Sequence, residues 1–273
     1  MQPSEFAHED IFQRLLLCKG DAAVQKLVEA TVVVCGIGAV GGFATEMLAR
    51  CAVGTLVIVD FDVVDISNIN RQIVATTKTI GQPKVQIMAQ RIKDINPYCT
   101  VVPYQLRLDA TTIRTVVEEH RPIILVDAID SFEQKAQVLQ YCLSIGLPVV
   151  SSMGAARKTD MARIHLRTLW TTSVCPLARK VRMRLREAGY TDGNIVVVFT
   201  DEEPVPHPKD DEGHKKPLPS FAIITTTFGV WAANAAIQFI TTGSILLSGV
   251  QPKKKELGTR GDIISNEPNI KHN

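Results

Sequence analysis

Residues 31–72 gather side chains whose types and spacing suit one kind of chemistry. The run CGIGAVGG places Gly36, Gly38 and Gly41 in a G-x-G-x-x-G spacing, directly after a β-branched run and before a helix-forming segment. Glycines at that spacing let the backbone approach a phosphate, and a helix N-terminus favours negative charge. Asp60 closes the next apolar run, about 20 residues on, where a carboxylate can hold ribose hydroxyls. To this point the residues suit NAD as well as any other nucleotide, and a plain tight turn is the bland alternative.

The residues behind Asp60 narrow the choice. SNINRQ brings Asn68, Arg71 and Gln72 together, and Lys84 follows. Hydride transfer has no use for such a set. Splitting ATP between its α and β phosphates does, because charge develops on the phosphorus oxygens and on the departing pyrophosphate, and fixed cations offset it. Arg71 and Lys84 are the cations available. Each alone is an ordinary loop charge; with the glycine loop and Asp60 they read as an ATP-cleaving constellation. Asp130, after the fourth strand, is a candidate for Mg²⁺ or for the substrate-facing side of the phosphates.

Elements must position these groups. Apolar spacing over 9–29, broken at Lys19-Gly20-Asp21, predicts an N-terminal helical segment. Strands are expected at Thr31–Cys35, Thr55–Val59, Thr100–Tyr104, 123–126 and 148–151, alternating with helices at Gly41–Arg50, Lys84–Ile95, 111–119 and 132–145. Ser131 and Gly146 cap the last of these. The alternation predicts a Rossmann-like, doubly wound, mostly parallel α/β sheet whose post-strand loops converge on one crevice. Beyond it lie an alternating stretch at 162–169, a basic helix at 176–188, a β-branched run at 194–199, a charged Pro-rich loop at 200–217 and a long helix near 221–242. The organisation expected is a helical segment at 1–30, an ATP-binding core at 31–155, a substrate-side and dimer extension at 156–250, and a disordered tail at 251–273.

Composition sets outer bounds. A net charge of +2 leaves no global nucleic-acid footprint, so an RNA partner needs a local basic patch. None of the six cysteines forms a C-x-x-C pair, so no zinc site is expected. The N-terminus lacks a charged-then-apolar leader pattern, and a reducing cytoplasm fits best. Residues 218–251 carry no charge, which admits a membrane-associated helix over 221–247 as a minor alternative to a core or dimer helix.

The strings GIGAVGG, VIVDFDVVDISNINRQ, GQPKVQ and VDAIDS, running from the end of the first predicted strand to the loop after the fourth, resemble the ubiquitin-activating-enzyme-like adenylating superfamily. The resemblance implies a homodimeric fold that adenylates a carboxylate with ATP and Mg²⁺. It implies that Asp60 holds the ribose, that Asn68, Arg71, Gln72 and Lys84 contact phosphates, with Arg71 the main transition-state group, and that Asp130 binds Mg²⁺. Gly36, Gly38, Ala39, Gly41 and Ser131 complete the implied ATP set, in which Arg71, Lys84 and Asp130 are catalytic. Arg14 in FQRLLLCKG matches an arginine that reaches the partner subunit's ATP site; otherwise it is an exposed helix charge. Ala39 stands where relatives commonly have glycine, which narrows the room at the phosphate.

Within that superfamily the sulfur-carrier activators usually carry two C-x-x-C pairs, absent here. The start of the chain, the INP after the third helix and DMARIHLRTLWTTSVCPLARKVRMRLRE look most like the branch that dehydrates threonylcarbamoyladenosine in tRNA. That branch implies adenylation of the threonyl carboxylate followed by cyclising dehydration, with tRNA and a second copy as partners, a cysteine desulfurase and sulfur-acceptor system as a further one, and no DNA. Arg179, Lys180, Arg182 and Arg186 are then candidates for a tRNA-facing surface, against an ordinary solvated helix face. Cys175, just before that helix, reads as a semi-buried loop cysteine, with a thioester-forming thiol as the sharper alternative, although the dehydratase route needs no covalent cysteine. The alternatives are an activator of a ubiquitin-like or sulfur-carrier protein, and a NAD-binding dehydrogenase-type or non-catalytic module.

Overall fold

The computed structural model describes residues 7–208, 212 and 217–249. The expected tail at 251–273 lies outside the described residues, as do residues 209–211 and 213–216 of the charged loop at 200–217. Seven strands form one sheet in the order β3-β2-β1-β4-β5-β7-β6. They are β1 (Thr31–Cys35), β2 (Thr55–Val59), β3 (Thr100–Tyr104), β4 (Ile124–Asp127), β5 (Val149–Ser152), β6 (Ile164–Thr168) and β7 (Ile195–Thr200). All neighbours are parallel except β6, which runs antiparallel to β7 at the edge. The central strands are β-branched and buried on both faces, as parallel strands covered by helices must be. β4 and β5 each sit one residue further along the chain than the pattern predicts, so Asp127 is the last residue of a strand and not a loop residue.

Among the described residues eight helices flank the sheet: α1 (His8–Lys19), α2 (Asp21–Glu29), α3 (Gly41–Arg50), α4 (Lys84–Ile95), α5 (Ala110–His120), α6 (Phe132–Ile145), α7 (Pro176–Glu187) and α8 (Ala222–Thr242). Alternate residues of each strand divide between two cores. Val32, Val34, Leu56 and Ile58 pack with α3, α4 and α8, while Val33, Val57, Val59 and Leu125 pack with α5, α6 and α7. α1 rests on α2 through Phe12 and Val24.

α8 is long and apolar enough to cross a membrane by length and composition. Its buried side chains, among them Ile224, Phe228, Ala232, Ala236 and Phe239, instead cover the sheet beside α3. Gly229 does not break the helix. A Cβ there would lie 2.4 Å from the Val40 carbonyl oxygen, so the glycine lets α8 pack directly on the start of α3.

Candidate active site

β1 and β4 are sheet neighbours whose following segments leave in opposite directions, and a cleft of about 720 Å³ opens at their C-terminal ends. The glycines there do different jobs. Gly36 has φ +89° and its N–H donates to Val59 O at 2.7 Å. A Cβ on Gly41 would lie 1.8 Å from Gly36 O, so these two residues close the turn on itself and against Ala128. Gly38 is open: its nearest neighbour would be Gln72 Nε2 at 3.9 Å. Gly38 and Ala39 line the cleft, and no side chain caps the N-terminus of α3.

Asp60 stands at the end of β2, 9% exposed. Its Oδ2 accepts from Ile37 N at 2.6 Å and its Oδ1 from Asp62 N at 2.8 Å. Burial pushes its carboxyl above the ordinary aspartate range, against the pull of the two amides and the nearby Lys84. Lys84 opens α4, and its almost fully buried Nζ meets Asp62 Oδ2 at 2.8 Å. The sequence reading gave Asp62 no role; here it holds the ammonium at the cleft wall.

A 3-10 turn at Ile66–Asn68 shapes the loop between Asp62 and Lys84. Asp65 accepts from Ser67 N at 2.7 Å, and Asn68 Oδ1 accepts from Asp65 N at 3.2 Å, a reciprocal cap. Arg71 N and Gln72 N then donate to Asn68 O. The Arg71 guanidinium donates to Ser67 O at 2.7 Å and Asn70 Oδ1 at 2.9 Å and has no carboxylate partner among the described residues. Gln72 is buried, with no protein partner for Oε1. Gln134 Nε2 on α6 is likewise buried and unpartnered, and both amides line the cleft. An unsatisfied buried amide costs about 1–3 kcal/mol, so two around one cavity point to a polar occupant. The sequence reading missed Gln134, because only the fold turns it toward the cleft.

Asp130 and Ser131 continue the wall. Asp130 is exposed and has no protein partner among the described residues, so it is free to meet a cation brought by phosphates. Among the described residues no group of three or more His, Cys, Asp or Glu side chains is placed to hold a metal by itself. Phe61, Leu106, Arg107 and Leu108 line the β2–β3 side, with the Arg107 guanidinium 5.2 Å from the Phe61 ring centre. Neither Phe61 nor Arg107 stood out in the sequence. The opposite side is made by Ser152, Met153, Gly154, Ala155 and Leu177.

Arg14 is exposed on α1 and does not line its own chain's cleft. On α7, Arg179, Lys180 and Arg186 are exposed. Arg182 is not a free cation: its guanidinium donates to Leu169 O at 3.2 Å and to Thr172 Oγ1. Cys175 is buried just before α7 and, with Arg179 and Lys180, lines a second cleft of about 510 Å³.

Residues 12–259 match the ThiF family. A tRNA threonylcarbamoyladenosine dehydratase of Bacillus subtilis is 40% identical over 194 residues, 71% of this chain and 76% of that one. The Escherichia coli enzyme of the same name is 32% identical over 243 residues, 80% of this chain and 89% of that one. The crystal structure of that E. coli dehydratase in complex with AMP superposes with a TM-score of 0.79 at 31% identity, covering 85% of this chain and 94% of that one. Its complex with ATP gives 0.78 at the same identity and the same coverage. The chain belongs to the ThiF family and stands within it beside the tRNA threonylcarbamoyladenosine dehydratases.

Proposed function

We propose that this protein uses ATP to activate the threonyl carboxylate of threonylcarbamoyladenosine in tRNA and then cyclises that side chain with net loss of one water. The observation that carries this reading is one cleft holding a glycine phosphate cradle, the unpaired Arg71, the buried Lys84 and two buried amides without partners. The relatives that resemble it over most of their length are dehydratases of this substrate, one of them solved with ATP and with AMP.

The chemistry follows from that placement. A carboxylate oxygen of the substrate attacks the α-phosphorus of ATP, the α–β bridge breaks, and pyrophosphate leaves with the electron pair. Arg71 and Lys84 offset the charge that grows on the phosphates. The ureido group of the same side chain then attacks the activated carbonyl, AMP departs, and the ureido proton passes to solvent. The substrate has lost the elements of water, and ATP has become AMP and pyrophosphate. Asp60 accepts from the ribose hydroxyls, and Gly38, Ala39, Asn68, Gln72 and Ser131 face the phosphates. Asp130 would hold Mg²⁺ together with phosphate oxygens, and the ion would screen their charge.

Arg14, which does not line its own chain's cleft, completes the cation set from a second copy in a homodimer. Arg179, Lys180 and Arg186 receive the tRNA backbone. A cytoplasmic setting suits such a substrate.

The test incubates the protein with ATP, Mg²⁺ and tRNA carrying the modification, followed by nucleoside mass analysis. Loss of one water from the nucleoside, with stoichiometric AMP, is expected. An unchanged nucleoside, or pyrophosphate exchange that depends instead on a small protein ending in Gly-Gly, would overturn the reading.

A further inference from the structure

A second polar cluster lies under the cleft floor and takes no part in the chemistry above. Lys135, Asp127 and Ser151 are each fully buried. Lys135 Nζ lies 2.5 Å from Asp127 Oδ2, 3.2 Å from Ser151 Oγ and 2.9 Å from Ser152 O, which uses all three of its N–H donors. Ser151 Oγ donates to the same Asp127 oxygen at 2.5 Å, and Asp127 Oδ1 accepts from Ile129 N at 3.0 Å. All three Lys135 donors and both Asp127 carboxylate oxygens are thus engaged by protein groups. Burial pushes the neighbouring thiols of Cys35 and Cys142 up, and the charge of Asp127 adds to the effect.

A buried ion pair is a poor device for stability alone, because apolar residues of similar volume do as well or better. What this one does is tie backbone. Asp127 fixes the amide of Ile129 and so the 128–131 loop, which presents Asp130 and Ser131 to the cleft and forms the surface on which Gly36 and Gly41 pack through Ala128. Lys135 fixes the carbonyl of Ser152, from which residues 152–156 run along the opposite wall. The two cleft walls, 128–131 and 152–156, are thereby held to one reference point at the ends of β4 and β5.

We infer that Lys135 is a positioning residue for the adenylation step: through Asp127 and Ser151 it sets the distance between the loop bearing Asp130 and the facing wall at 152–156. The inference rests on the function proposed above. Ground-state nucleotide binding depends mainly on 36–41, Asp60 and 68–72, whereas turnover depends on the two walls meeting correctly.

The test compares wild type with the neutral pair Lys135→Met, Asp127→Asn, and with Ser151→Ala, which keeps the ion pair and loses only the bridging hydroxyl. Expected for the neutral pair are an AMP affinity within about twofold of wild type and a kcat lower by about a hundredfold, the scale of a displacement near 1 Å. Ser151→Ala should lie between the two. Amide exchange should quicken at 128–131 and 152–156 and stay unchanged in β1 and β4. Wild-type kcat in a folded neutral pair, or exchange that quickens across the whole sheet, would overturn the inference. If the neutral pair does not fold, Ser151→Ala decides: unchanged kcat and unchanged loop exchange refute it. Failure of wild type to cyclise the nucleoside would instead refute the proposed function, and loop exchange would still report on the clamp.

Discussion

Gly41→Ala and Gly38→Ala change the same motif by one methyl group and should fail in different ways. At Gly41 the new Cβ lies 1.8 Å from the Gly36 carbonyl oxygen. Reaching even 3.0 Å, below which real Cβ contacts essentially never fall, requires a shift of about 1.2 Å. The obstacle is backbone, so no rotamer relieves it, and Ala128 blocks retreat at 3.0 Å. A cost near the top of the overpacking range, about 3 kcal/mol, is expected. In a domain of this size it lowers Tm by about 6–12 °C. The same displacement moves the phosphate cradle and should reduce turnover by about a hundredfold. At Gly38 nothing lies closer than 3.9 Å, and the residue has no left-handed φ. Stability should change by less than about 0.5 kcal/mol. The methyl group nevertheless fills cleft space beside Gln72, and AMP affinity should fall by about tenfold or more, a loss of about 1.4 kcal/mol. Calorimetric melts and titration with AMP separate the two cases. A Gly41→Ala protein with the melting point and AMP affinity of wild type would refute the turn geometry. Undiminished AMP affinity in Gly38→Ala would show that no phosphate approaches the backbone there.

Three further outcomes test other parts of the site. Arg71→Ala should leave Tm unchanged, since among the described residues Arg71 bonds only the surface acceptors Ser67 O and Asn70 Oδ1 through its guanidinium, yet lower turnover about a hundredfold to a thousandfold; wild-type turnover would remove its role. Asp60 has a folded-state pKa raised by burial, so the folded chain takes up this proton first on acidification. Its ionised form costs stability as pH rises through the window between the unfolded and folded values, whereas ribose binding needs that ionised form. AMP affinity should therefore fall as pH drops through the raised folded-state pKa of Asp60, and Asp60→Asn should flatten the profile; an identical profile in the variant would refute the assignment. Replacing Arg179, Lys180 and Arg186 by alanine should make the logarithmic salt dependence of tRNA binding shallower by about 2–3 with Tm unchanged, whereas Arg182→Ala should lower Tm because Arg182 ties down Leu169 O and Thr172. An unaltered salt slope in the triple variant would take α7 out of the interface.

The sheet and the nucleotide half of the cleft were legible because their information is local. A β-branched run, three glycines and a helix former sit within one stretch, and Asp60, Asn68, Arg71 and Gln72 follow within the next loop. Spacing along the chain is then nearly spacing in space. Lys84 was legible as a cation, but Asp62, which holds it, was not, because the pairing depends on how the intervening loop folds back. The basic face of α7 was legible as charge, yet composition does not say which guanidinium is already engaged; Arg182 closes on the turn before its own helix.

Of the other half of the cleft, Asp130 and Ser131 were legible in VDAIDS, and the rest was hidden for a topological reason. β1 and β4 lie side by side, with two strands and three helices of sequence between them, and β5 joins them only after another helix. Lys135 reads as a surface charge on a helix, and Asp127 as a second acid in VDAID, until β4 and β5 pair and bring Ser151 beside them. Gln134 and Lys135 are consecutive on α6, yet one faces the cavity unpartnered and the other is sealed beneath it. Helical geometry separates adjacent side chains by about 100°, and the sheet order decides what each then meets. The loop after β1 thus declares what is bound, while the meeting of β4, β5 and α6 sets the walls between which it must react. The first is written whole in one continuous segment, whereas VDAIDS writes only one edge of the second, because three separate segments build those walls.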